Sequence, residues 1–154
     1  AEYYGREGKA EKDMLNLLYL ACKALSNPHL DDRLVRRIFE LRALVINGEY
    51  PDVFSCVHCG SQEELVLYNA REGGLLCKDC AGTVGLPKES RGIRISPSCV
   101  YTLQYIVSVP LTKLFTFTVE ADVLRELEMV LNRHMDLYID RRLKSKEILE
   151  TLLH

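Results

Sequence analysis

This sequence of 154 residues predicts a mainly α-helical, bundle-like fold carrying an inserted four-cysteine zinc ribbon, and three observations lead there. Apolar residues recur at helical spacing on both sides of a central segment. That segment contains two Cys-x-x-Cys knuckles, Cys56-Val-His-Cys59 and Cys77-Lys-Asp-Cys80. Between the knuckles lie two short apolar runs joined by a glycine-bearing turn, the pattern of a β-hairpin.

The elements follow in order. Met14, Leu15, Leu18, Cys22 and Leu25 share a helical period that Asn27-Pro28 stops. Asp31-Asp32 opens a second helix, with Leu34, Val35, Ile38, Phe39, Leu41, Val45 and Ile46 on its inner side and Asn47-Gly48 as its exit. In the insert, Leu65-Val-Leu-Tyr68 and Leu75-Leu76 read as the hairpin strands, and Gly60 and Gly82 as the residues that let each knuckle turn tightly. Ser96-Pro97 is an N-cap followed by proline at the first helical position, leading into Cys99, Val100, Leu103, Ile106 and Val107 and ending at Pro110. Thr118 begins the longest helix, striped by Val123, Leu124, Leu127, Val130, Leu131 and Tyr138, and Ser145 caps a last short helix with Ile148, Leu149, Leu152 and Leu153. The domain reading is therefore 1–51 and 88–154 as two parts of one helical domain, with 52–87 as the zinc-ribbon insert. Neither helical part has a way to bury its apolar stripe alone.

The cysteines decide the chemistry. A Cys-x-x-Cys turn places two sulfurs on one side of a metal, and a second such turn closes a tetrahedron of thiolates, so Cys56, Cys59, Cys77 and Cys80 are the expected ligands of a structural zinc. Four sulfurs leave no position for a reactive water. Disulfide pairing is the weaker reading, because no charged-then-apolar leader opens the sequence and Cys22 and Cys99 read as unpaired core thiols. Thioredoxin-like redox use calls for a pair beside a βαβ pattern. His58 is expected to face solvent within its knuckle.

Composition narrows the class further. An apolar fraction of 47% is that of an ordinary soluble globular protein, and no apolar run is long enough to span a bilayer. A net charge of −2 confines any nucleic-acid contact to a local patch. No Ser-His-Asp order, glycine-rich phosphate loop or repeated acidic pair is present to support an enzyme, so a binding role is expected.

Several stretches together resemble one known family. Arg37-Ile-Phe-Glu-Leu-Arg-Ala-Leu-Val-Ile-Asn-Gly48, Pro51, Cys56-x-x-Cys59-Gly60, Gly73-Gly-Leu-Leu-Cys77-x-x-Cys80, Ile95-Ser-Pro97 and Arg141-Arg-Leu-Lys-Ser145 occur in the order and spacing of the C-terminal part of the bacterial RecO family, from about Met14 onward. The resemblance implies a DNA repair and recombination mediator of the bacterial cytoplasm and nucleoid. Such proteins bind single- and double-stranded DNA, anneal strands, and act with RecR to load RecA on DNA coated by single-stranded-DNA-binding protein. The family's N-terminal OB-fold domain lies outside the resemblance, so weak DNA binding is expected of this chain by itself.

Arg133, Arg141, Arg142, Lys144 and Lys146 gather towards the end of the long helix and are the candidate DNA contacts, offset by Asp136 and Asp140; His134 beside them lies one turn beyond Val130 and is expected to edge the core. Cations there also complement the helix dipole. Lys88, Arg91 and Arg94 form a thinner cluster expected to be a solvated loop, and Tyr101, Tyr105, Phe115 and Phe117 suit core packing or a partner groove better than base stacking. The alternative to a DNA-contacting module is a zinc-ribbon scaffold that binds only proteins.

Overall fold

The computed structural model describes residues 2–83 and 92–153, with the side chains of 8–82, 92–144, 146, 151 and 152. Local chemistry sets the helix ends. Helix α1, Glu2–Leu25, closes with Asn27 N–H bonded to Ala24 O before Pro28. The Asp31 carboxylate accepts from Arg33 N–H at 2.8 Å and starts α2, Asp32–Ile46, which exits through Gly48 at φ 73°.

The chain then forms strands β1, Leu65–Asn69, and β2, Gly74–Cys77, followed directly by the short helix α3, Lys78–Thr83. A third strand, β3, Ile93–Arg94, pairs with the other side of β1, giving an antiparallel sheet of order β2-β1-β3. Gly92 makes this pairing possible: a Cβ there would stand 1.9 Å from Tyr68 O, so only glycine lets the two backbones approach. Helix α4, Pro97–Ser108, begins where the Ser96 hydroxyl accepts from Cys99 N–H. After a 3₁₀ turn at Leu111–Lys113, α5 runs Ala121–Leu153.

One apolar cluster joins all of this. Leu17 of α1, Leu34, Ile38 and Leu41 of α2, Tyr68 and Leu75 of the sheet, Leu103 and Ile106 of α4, and Leu127 and Leu131 of α5 are buried together. Side chain to backbone bonds reinforce it: Arg42 donates to the carbonyls of Ile106 and Val107 at the end of α4, and Gln104 donates to Val53 O ahead of the first knuckle. The fold is thus mainly helical with a small antiparallel sheet and a cysteine cluster, as expected. The sheet is not confined to residues 52–87, since its third strand lies beyond them.

Several expectations need correction. The long helix starts at Ala121 rather than Thr118, and it passes Ser145 without a break, because no Gly or Pro occurs within it to stop the hydrogen-bond ladder. Gly82 makes no left-handed turn; it lies inside α3, whose helical backbone carries the chain on from Cys80. Cys99 is fully buried as expected, but Cys22 is exposed. No helix among the described residues is long and apolar enough to cross a membrane.

Candidate metal centre and basic surface

The first knuckle is held against the edge of the sheet. Asp52 N–H donates to Gly73 O, Leu75 N–H to Asp52 O, and Val57 N–H to Leu75 O, so the segment runs beside β2 and delivers Cys56 and Cys59 to the end of the strand where Cys77 stands. Gly60, at φ 81°, donates to Cys56 O at 2.8 Å and turns the chain back; Cys56 N–H then bonds Ser61 O. Cys80 sits in the first turn of α3 with its N–H directed at Cys77 Sγ, 3.5 Å away. The fixed strand end and helix start thus set the second pair of sulfurs opposite the first.

The four Sγ atoms of Cys56, Cys59, Cys77 and Cys80 lie within 4.8 Å of one another, and Cys59 and Cys77 are 3.7 Å apart. A disulfide needs about 2.05 Å. Sulfurs at ~2.3 Å from a tetrahedral metal stand about 3.8 Å apart, so the Cys59–Cys77 separation is that of an S₄ shell and the four sulfurs are close enough together to hold a metal ion. Its protonation points the same way. Burial opposes ionisation of Cys56, yet the backbone N–H groups of Cys59, Cys77 and His58 and the Cys80 thiol outweigh it and lower the group to about 6. Desolvation and the neighbouring thiols push Cys80 up. Metal binding requires deprotonated sulfurs, so a divalent ion seated here would favour the thiolate form of all four. His58 is exposed, as expected, and is not in the cluster.

A buried polar bridge ties this hairpin to α5. The Tyr68 hydroxyl lies 2.8 Å from His134 Nδ1, and His134 Nε2 lies 2.8 Å from Glu49 O. A carbonyl can only accept, so Nε2 carries the proton, and Nδ1 accepts from the phenol. Burial lowers the His134 pKa and raises that of Tyr68, fixing a neutral ring and a protonated phenol. His134 therefore belongs to the interior and not to the basic surface. Its spacing to Val130, Leu131 and Leu127 was the signal that it shares their face.

The remaining cations of α5 are exposed but point in different directions. At about 100° per residue, Arg133, Arg141 and Lys144 share one side of the helix, and Arg142 and Lys146 lie on roughly the opposite side. Arg133 borders a groove of about 740 Å³ between α5 and the sheet, lined also by Asn69, Arg71, Gly92, Asp136 and Asp140. Lys144 pairs with Asp140 at 3.3 Å, while the Arg142 guanidinium packs over the Tyr138 ring at 5.3 Å. Lys88 and Arg91 lie outside the described residues; Arg94 is exposed on β3. Tyr101 is exposed and stacks on Tyr105, which meets Phe117 edge-on, so this aromatic group lies partly on the surface.

The "Recombination protein O C terminal" family model matches residues 1–147. Among curated relatives, the DNA repair protein RecO of Desulforamulus reducens is 30% identical over 148 residues, covering 95% of this chain and 55% of the relative. That of Acetivibrio thermocellus is 31% identical over 139 residues, with coverage of 90% and 52%, and that of Bacillus subtilis is 26% identical over 148 residues, with 96% and 56%. The chain spans about half the length of these relatives.

Proposed function

We propose a function for this chain from the premise that it belongs to the RecO C-terminal family: it is the zinc-bearing helical module of a recombination mediator, acting in DNA repair by docking proteins and adding auxiliary contacts to single- and double-stranded DNA. The match over residues 1–147 carries this reading. Zinc bound by Cys56, Cys59, Cys77 and Cys80 would fasten the first knuckle to the hairpin and so supply folding energy to the sheet. RecR, the single-stranded-DNA-binding protein and RecA loading come into the proposal through the family, as does action in the bacterial cytoplasm on the nucleoid. The module works by binding and has no catalytic role.

Phosphate contacts are proposed for Arg133, Arg141, Arg142, Lys144 and Lys146. Oligonucleotide titrations over a range of salt test them, since each neutralised phosphate adds to the steepness with which affinity falls. Arg141→Glu with Arg142→Glu is expected to weaken binding and flatten that dependence, and Lys9→Glu with Lys12→Glu to change little. Because Arg141 and Arg142 lie on different sides of α5, an unaltered affinity and slope in the double arginine variant rejects both sides of this helix end. A protein-docking scaffold that never touches DNA is the competing reading. It is favoured by the net charge of −2 and by the engagement of Lys144 with Asp140 and Arg142 with Tyr138. Absence of binding even at low salt selects it.

A further inference from the structure

Helix α1 is apolar on two sides, an inner face and an outer one that adjoins it. Leu17, Ala21 and Ala24 face inward and are buried. Leu15, Leu18, Cys22 and Leu25 recur three and four residues apart on the other side, with Tyr19 adjoining them, and fall within roughly a 120° sector of the helix. Leu15 is 67% exposed, Tyr19 68%, Leu18 49% and Leu25 50%, and Cys22 is exposed among them. A single helix supplies four of the molecule's large exposed apolar side chains in one stripe, and apolar character on both sides belongs to a helix covered on both sides.

Charge and area narrow the choice of cover. Glu11 lies in line with the stripe one turn before Leu15, and Lys12, Asn16 and Lys23 flank it on the Tyr19 side, so the centre is uncharged and the charge sits at its N-terminal end and along one edge. That suits an apolar protein surface and not a phosphate backbone. The stripe offers on the order of 400–500 Å², against ~800 Å² per partner in a stable interface, so two copies of this chain would pair weakly through it. A partner on the same polypeptide needs less area, because a tether raises its effective concentration to about the millimolar range. The match covers little more than half of each relative, and the matching family model describes a C-terminal part, so in them further polypeptide reaches this module through the start of α1.

We propose that the Leu15-Leu18-Tyr19-Cys22-Leu25 stripe is an intramolecular docking face, covered by an apolar surface of the polypeptide that precedes this module in the full-length protein. The inference uses the family's length and not its DNA role, so either can fail without the other. Cys22 is the probe. Its alkylation by iodoacetamide, followed by peptide mass spectrometry to separate it from Cys59, is compared between the 154-residue chain and the full-length gene product, with light scattering at micromolar concentration. Labelling of Cys22 is expected to be fast in a monomeric 154-residue chain and about tenfold slower or more in the longer protein. Leu18→Lys with Tyr19→Lys restores fast labelling there without lowering the melting temperature of the 154-residue chain. Equal rates in the two proteins, or a gene product that begins at α1, overturn the proposal. So does a 154-residue dimer that protects Cys22 and is dissociated by the same double substitution, which would assign the stripe to a second copy.

Discussion

The Tyr68 hydroxyl donates to His134 Nδ1 across 2.8 Å of protein interior and so joins the central strand of the sheet to the longest helix. Removing the donor leaves a buried ring nitrogen without a partner. Tyr68→Phe is expected to destabilise the protein by about 1–3 kcal/mol, the cost of one unsatisfied buried acceptor. His134→Ala, which also removes the bond to Glu49 O and leaves a cavity, should cost more than Tyr68→Phe. Urea unfolding of the two variants against the parent measures both.

The same bridge predicts a pH dependence. Burial lowers the His134 pKa in the folded state, whereas the unfolded chain titrates near 6.5. The unfolded state binds the proton more readily, so His134's contribution to stability is complete above about pH 6.5 and is lost as pH falls through that value towards the lowered folded pKa. Unfolding midpoints should drop over this window in the parent and drop less in His134→Gln. An equal pH dependence in both would show that the buried ring is not responsible.

Glu128 of α5 receives two arginines of α2 that differ in burial. Arg33 is exposed, while Arg37 is 6% exposed and reaches Glu128 at 3.4 Å and Glu40 at 3.0 Å. The hydrogen bond from Arg33, with further contributions from Arg37, holds the Glu128 carboxyl below its ordinary range. Glu128→Gln leaves the buried Arg37 charge with Glu40 alone and is expected to cost about 2–4 kcal/mol. Arg33→Gln should change stability little, since water screens that pair. Thermal melts rank the two.

The shared core bears on domain organisation. Residues 1–50 and 88–154 are expected to be poorly folded when expressed separately and to associate when mixed, because Leu34, Ile38, Leu103 and Leu127 belong to one buried cluster. Cooperative unfolding of either piece alone, measured by circular dichroism, would contradict a single helical domain.

What could be read in advance followed the strength of each local signal. The two knuckles, the Asp31 and Ser96 caps and the hairpin strands were legible because each rests on residue types with few alternative uses. Strand β3 was not, since two residues show no alternation, and its place beside β1 is set by Gly92 through tertiary contact. His134 sits among the cations in sequence, but its place one turn beyond Val130 already set it at the edge of the core, where the structure buries it. Cys22 was misread for a different reason: α1 is apolar on two sides, so periodicity alone does not say which one faces the core. Serine at 145 is an N-cap only where a helix begins, and the uninterrupted ladder of α5 leaves it none to begin.

The metal is the centre of this account, and zinc content read together with the state of the hairpin tests it most directly. Elemental analysis of the purified protein should find about one zinc per chain. Cys56→Ser and Cys80→Ser should each lose it and abolish hydrogen-exchange protection in β1 and β2, because the binding energy of a closed four-sulfur site is also local folding energy. A protein free of zinc and of any other metal, with β1 and β2 still protected, would contradict the account.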